Sequence, residues 1–222
     1  CMKGLEQGTG RRLSQIAQEN LDPSNAVAVW LGPGHVQEFY RGIPNCMVID
    51  SRREDVKRRL VQSFSSDLIR FYYGDDLIGN EVGAAAKNVV GIAAGFLDGK
   101  GLSSLKGALM SRGTREVARL IQAMGGSQLS AYGLCHLGDY EATVFSRYSH
   151  NRQFGESFIR GETYTDLAEG YYTVEALVLL GQRYGVELPI CQAVHRVLYC
   201  GADPMQELRA LLDRNLTREF GE

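Results

Sequence analysis

The stretch from Gly79 to Gly95, GNEVGAAAKNVVGIAAG, constrains this chain more than any other. Between Val82 and Leu97 its only polar side chains are the adjacent Lys87 and Asn88. A helix that apolar belongs inside a core. A lysine carried there loses hydration, and burial favours its neutral form. A lysine tuned in this way gives and takes protons near neutral pH. The small residues around it (Gly83, Ala84, Ala85, Ala86 and Gly91) leave room for backbone or ligand to come close. The alternative is a lysine that snorkels along its own stem to the surface, and the residues alone leave both readings open.

With 222 residues, 44% hydrophobic and 23% charged, the chain can bury a real core in one or two domains. Its net charge of −2 gives no basic excess of the kind nucleic acid selects, so no nucleic-acid partner is expected. The local cluster Arg52, Arg53, Lys57, Arg58 and Arg59 alternates with acids and reads as the solvated face of a helix. The five cysteines (Cys1, Cys46, Cys135, Cys191, Cys200) are odd in number and lack CxxC spacing. That argues against a disulfide framework or a metal site and for a reducing, cytoplasmic setting. No apolar run of membrane length is free of polar residues, and no signal peptide opens the chain. The opening Cys1-Met2-Lys3-Gly4 reads as the end of a strand, so a segment in front of it is expected.

Residues 1–76 alternate between helix and strand signals. Helices are predicted over Gly10 to Asn20, with Leu13, Ile16 and Ala17 on one face, and over His35 to Arg41. A third runs over Arg53 to Phe64, with Val56, Leu60, Val61 and Phe64 inward. Strands are predicted at Ala26–Trp30, Cys46–Asp50 and Leu68–Tyr73, with Gly32-Pro33-Gly34 as a turn. That alternation implies an α/β layer with a largely parallel sheet. From Leu77 onward no strand pattern appears. Helices are predicted over 77–98, 103–124, 166–184, 189–200 and 204–213, the last opened by Asp203 as cap and Pro204 in the first turn. The expected organisation is an α/β piece over 1–75 and an all-helical piece over 76–222.

Four further places invite a functional reading. Lys3 stands at an apparent strand end, where α/β sheets bind ligands, or is simply an exposed terminal lysine. Gly32-Pro33-Gly34 either brings backbone N–H groups to a ligand or makes a tight turn. Asp139, after Gly138, either fixes a catalytic lysine's charge or caps a turn. The run Arg147-Tyr148-Ser149-His150-Asn151-Arg152 is a polar loop or, as its donor density favours, an anion site. His195, beside Val194 and Val197, reads as structural, whereas spacing does not decide His35 and His136. The chain contains no GxGxxG and therefore no dinucleotide fingerprint of its own.

Six motifs together resemble one family. They are Lys3-Gly4-Leu5, Gly32-Pro33, Lys87-Asn88 within GAAAKNVVGIAAG, Leu137-Gly138-Asp139, Asn151-Arg152-Gln153-Phe154-Gly155 and Ala168-Glu169-Gly170. In this order they look like the bacterial type of NAD(P)-dependent glycerol-3-phosphate dehydrogenase, over almost the whole chain. The resemblance implies a partial Rossmann-like sheet layer followed by an all-helical domain of the 6-phosphogluconate-dehydrogenase C-terminal kind. The site would lie in the cleft between them. It implies interconversion of dihydroxyacetone phosphate and sn-glycerol 3-phosphate with NAD or NADP, feeding glycerophospholipid synthesis.

By the same resemblance Lys87 exchanges the proton at the C2 oxygen. Lys3 contacts substrate and cofactor, Asp139 supports the lysines, and Thr143 lies close by. Asn88, Ser149, His150 and Asn151 fall where the family holds substrate and phosphate. Gly32, Gly34 and Val36 match the loop beside substrate and cofactor, while Leu167, Glu169 and His150 match cofactor contacts. Two departures carry expectations. The family's first strand, glycine-rich loop and following helix have no counterpart, which implies weak cofactor binding. His150 replaces an arginine, and Gly34 a small hydroxyl residue, which implies a weaker grip on phosphate. A non-catalytic remnant that binds a phosphorylated ligand or a protein partner, and a related dehydrogenase acting on a hydroxy acid, are the competing readings. A homodimer stays open.

Overall fold

A computed structural model describes residues 2–34, 36–214 and 219. Cys1 and His35 thus lie outside the described residues. Strands β1 (Ala28–Leu31), β2 (Asn45–Ser51) and β3 (Ile69–Tyr73) form one sheet in the order β1-β2-β3. β2 and β3 run parallel, bridged by α3 (Glu54–Phe64). β1 runs antiparallel to β2, with Trp30 opposite Ile49. The expectation of a largely parallel sheet is therefore corrected for β1. The connection from β1 to β2 carries only the four-residue helix α2 (Val36–Phe39), which buries nothing. It cannot cover a sheet face as a parallel crossover does. Ile49, Val61 and Phe71 form the core under this sheet, with Trp30 edge-on to Phe71 at 4.7 Å.

Two details of α3 differ from expectation. Lys57 is buried, not solvated: its Nζ donates to Gly74 O (2.6 Å) and Asp75 Oδ1 (2.8 Å). Phe64 is half exposed, with its ring 5.3 Å from that of Trp30.

The helical body is organised around α4 (Leu77–Gly99), buried at every residue from Gly79 to Leu97. Asp76 caps it, its carboxylate accepting from Gly79 N at 2.9 Å. Around it pack α5 (Lys106–Ala123), α6 (His150–Arg160), α7 (Glu169–Tyr184), α8 (Pro189–Cys200) and α9 (Pro204–Leu212). Val82, Val89, Ile92, Ile121, Leu177 and Leu180 make the shared core. The α4–α6 crossing is close because Gly95 faces Gly155: a Cβ on Gly95 would lie 2.1 Å from the Arg152 carbonyl oxygen. Helix α6 was not expected. Short turns occupy the stretch before it, including Leu137–Asp139 and a wide turn at Glu141–Phe145.

The N-terminal arm is not a strand over its described residues Met2 to Gly4. Instead Leu5 pairs with Arg12 in a small hairpin and buries its side chain in the helical core. The hairpin leads into α1 (Leu13–Asn20), whose expected face of Leu13, Ile16 and Ala17 is only half buried. Among the described residues no helix is long and apolar enough to cross a membrane, and the four described cysteines are unpaired.

Candidate active site

Lys87 lies mid-way along α4 with 7% of its surface exposed, so it does not snorkel. Its Nζ donates to Thr143 Oγ1 at 2.7 Å and sits 2.9 Å from Asp139 Oδ2. Thr143 can accept that bond because its own hydroxyl proton is directed to the Asp139 carbonyl, at 2.8 Å. Lys3 arrives from the N-terminal arm. Its Nζ is 2.6 Å from the same Asp139 oxygen and donates to Gly32 O at 3.2 Å. One buried carboxylate thus bridges two ammonium groups from opposite ends of the fold. The turn Gly32-Pro33-Gly34 offers this cluster the Gly32 carbonyl oxygen.

Burial pulls the Lys87 pKa down from 10.5 to about 8. The Asp139 carboxylate opposes that shift, and the like charge of Lys3 adds to it. The amine is therefore divided between its two protonation states just above neutrality.

The turn that carries Asp139 is anchored from below. His136 is fully buried and shares its Nδ1 with Gly83 O at 2.8 Å and its Nε2 with Tyr140 Oη at 2.7 Å. The carbonyl must accept, so Nδ1 carries the proton and Nε2 accepts from the tyrosine. Burial holds the imidazole neutral, with a pKa of about 4. Gly83 permits the approach, since its Cβ would stand 3.0 Å from that of His136. Spacing alone gave no sign of this pairing. The buried Arg12–Glu81 pair was also missed, although an acid at the edge of so apolar a run requires a partner.

A second group of expected residues meets where α4, α6 and α7 converge. Asn88 Nδ2 donates to Glu169 Oε2 at 3.3 Å. Asn151 Oδ1 accepts from Gly170 N at 2.8 Å, and Gly170 packs on the Asn88 carbonyl, where a Cβ would come within 2.7 Å. Ser149 caps α6 through Oγ, which accepts from Arg152 N. Two helix N-termini thus open here, a setting that favours anions.

Other expected residues are placed elsewhere. His150 is exposed, and its Nδ1 lies 2.9 Å from Tyr164 Oη and 3.7 Å from Asp166 Oδ2. Arg152 ties α6 to α4 through Asp98 (2.9 Å) and pairs with Glu156 one turn along α6 (2.8 Å), which removes it from the expected anion cluster. Arg147 stacks on Tyr148. Val36 and Leu167 are about two-thirds exposed and stand apart from the lysine cluster's hydrogen bonds. Gly34 packs against Phe39, whose ring a Cβ would meet at 2.9 Å. His195 stacks on Tyr199 at 5.0 Å, in keeping with a structural role. A wide apolar groove lined by Leu97, Leu109, Ile190 and Leu208 contains none of these side chains.

Residues 76–209 match the family model for the C-terminus of NAD-dependent glycerol-3-phosphate dehydrogenase, and residues 1–57 match the model for its N-terminus. The chain belongs to this family. A glycerol-3-phosphate dehydrogenase [NAD(P)+] of Thermus thermophilus is 41% identical, over 98% of this chain and 69% of its own length. One from Thermotoga is 37% identical over the same shares. The glycerol-3-phosphate dehydrogenase structure from Coxiella burnetii superposes with a TM-score of 0.88 at 32% identity, covering 96% of this chain and 67% of that one. A yeast glycerol-3-phosphate dehydrogenase superposes at 0.80 with 19% identity, covering 96% and 67%, a likeness of fold alone. In this chain a partly open Lys3 stands beside the buried Lys87 on the shared Asp139 carboxylate. A GxGxxG cradle for a dinucleotide's pyrophosphate is not among the residues.

Proposed function

We propose that this chain carries the proton-transfer and substrate-holding machinery of a cytoplasmic dehydrogenase. That enzyme interconverts sn-glycerol 3-phosphate and dihydroxyacetone phosphate with NAD(H) or NADP(H). The observation that supports this most is the Lys87 amine, buried, half-titrated near neutrality and fixed between Asp139 and Thr143. When bound, the nicotinamide accepts or delivers the hydride at C2. Lys87 moves the proton: as the neutral amine it takes the C2 hydroxyl proton during oxidation, and as the ammonium it gives that proton to the ketone oxygen during reduction. A pKa of about 8 populates both forms. Lys3 adds a second positive charge beside the oxygen as alkoxide character develops. Asp139 holds both lysines, so neither is left as a lone buried charge.

In this reading Asn88, Ser149 and Asn151 hold the substrate, with its phosphate toward the two helix N-termini. Binding energy from the phosphate then orients C2 for reaction. Gly32 and Gly34 shape the facing loop. Val36, Leu167, Glu169 and His150 border the cofactor together with Lys3. Residues 1–75 serve as part of the nucleotide-binding layer, and residues 76–222 as the substrate-binding body. Lys87→Ala tests the assignment. Dihydroxyacetone phosphate reduction by NADH or NADPH should lose roughly 100-fold in kcat, and activity within a few-fold of the parent overturns it.

A further inference from the structure

Arg12 and Glu81 form an ion pair that the chemistry above does not use. Their side chains are 6% and 5% exposed, and Arg12 Nη1 lies 2.6 Å from Glu81 Oε2. Glu81 also accepts from Ser14 N at 2.8 Å and from Ser14 Oγ at 2.5 Å. It therefore caps the first turn of α1, as a carboxylate at a helix N-terminus does. A buried pair this costly to desolvate is weak evidence for stability in itself, so its placement calls for another reason.

That placement couples the two lysines. Glu81 and Lys87 share α4, a rigid rod on which six residues span about 9 Å. Arg12 pairs with Leu5 across the hairpin, two residues from Lys3. The hairpin is closed by Glu6 N to Arg11 O and Gly10 N to Glu6 O, each 2.9 Å. Lys3 itself lies in an arm without backbone pairing over its described residues, so its reach toward Asp139 is set by where the hairpin is pinned. The two ammonium groups share one carboxylate oxygen, at 2.6 and 2.9 Å, a geometry that a small slide of the hairpin along α4 would break.

We propose that the Arg12–Glu81 pair is a positioning device for the reaction: it fixes the hairpin on α4 at the height where Lys3 meets Asp139 beside Lys87. The proposal rests on the reading that Lys87 moves the proton. Three ionisable groups face Lys87: Asp139 and His136 from the turn below it, and Lys3 from the arm. His136 is neutral, so loss of Lys3 leaves Asp139 unopposed and drives the Lys87 titration upward.

The test is an NMR titration of the full chain with 13Cε-labelled lysine. The chain has five lysines, and Lys87→Met assigns the signal. Lys3→Met should raise the Lys87 midpoint by roughly one to two pH units. Arg12→Met and Glu81→Gln should raise it in the same direction, while Arg12→Lys, which keeps the charge, should titrate as the parent. The proposal is overturned if Lys3→Met leaves Lys87 unmoved, or if a folded Arg12→Met or Glu81→Gln chain keeps the parent midpoint. It is equally overturned if both of those variants fail to fold while Arg12→Lys folds, since the pair is then purely structural. None of these outcomes depends on turnover, so failure of the Lys87 assignment would show separately, as undiminished kcat in Lys87→Ala.

Discussion

Replacing Asp139 by Asn separates its charge from its shape. The carboxylate oxygen stands 2.6 Å from the Lys3 nitrogen and 2.9 Å from that of Lys87. At an effective dielectric of about 20, unit charges at the longer distance attract by roughly 6 kcal/mol. Two effects reduce what is lost. Asn keeps an oxygen that accepts from the amine, and Lys3, with 21% of its side chain exposed, can turn toward water and relieve the repulsion. A net fall of the Lys87 pKa by about one to two units follows, from about 8 to between roughly 6 and 7. Reduction needs the ammonium and oxidation the free amine. In the parent, kcat for reduction should therefore fall as pH rises through about 8, and kcat for oxidation should rise through it. In Asp139→Asn both limbs should move acidward together, on top of a general loss and a destabilisation of about 3 kcal/mol from breaking a buried pair. Stopped-flow measurement of NADH formation and consumption between pH 5.5 and 9.5 reads both limbs. Limbs that stay at the parent pH in both directions would refute the electrostatic account of the site.

Three further outcomes are expected. Lys87 sheds its proton in the folded state near pH 8 but at about 10.5 when unfolded, so its contribution to stability is present above 10.5 and lost as pH falls through 8. Chemical denaturation should show the parent gaining roughly 3 kcal/mol on Lys87→Met between those pH values; a constant difference contradicts the buried-lysine reading. His150→Arg replaces an imidazole, whose two ring nitrogens point in different directions, with a guanidinium fork that can grip phosphate through two parallel hydrogen bonds. Calorimetry with glycerol 3-phosphate at pH 8 should show tighter binding by the variant than by the parent, whereas equal affinities mean that His150 does not touch the phosphate. Gly95→Ala places a methyl 2.1 Å from the Arg152 carbonyl, forcing α4 and α6 apart. It should destabilise by about 3 kcal/mol or more and weaken substrate binding at Ser149 and Asn151, and an unchanged melting temperature would contradict the close crossing.

The parts of this protein legible in the sequence are those where one residue contradicts its surroundings. Lys87 stood out because, apart from the adjacent Asn88, no side chain between Val82 and Leu97 is polar, whereas Asp139 after Gly138 was legible only as one of two readings, a lysine's counter-ion or a turn cap. Helices α8 and α9 announce themselves with a proline in the first turn. Helix α6 did not, because its buried positions are Asn151 and Gly155, small or polar residues that let α4 approach. A helix that packs through its lack of side chains leaves no apolar period to read. The direction of β1 was equally silent, since alternation marks a strand but not its partner's sense. Lys57 was misplaced because a charge run hides one buried cation among solvated ones, and only the Gly74 carbonyl and Asp75, brought in by β3, distinguish it. The same limit applies to the reaction centre. Lys3 is ordinary until Asp139 takes both lysines, and that meeting depends on where a hairpin and a buried turn are pinned to α4. The chemistry thus resides less in the identity of the lysines than in the supports beneath them, Arg12–Glu81 on one side and His136–Gly83 on the other.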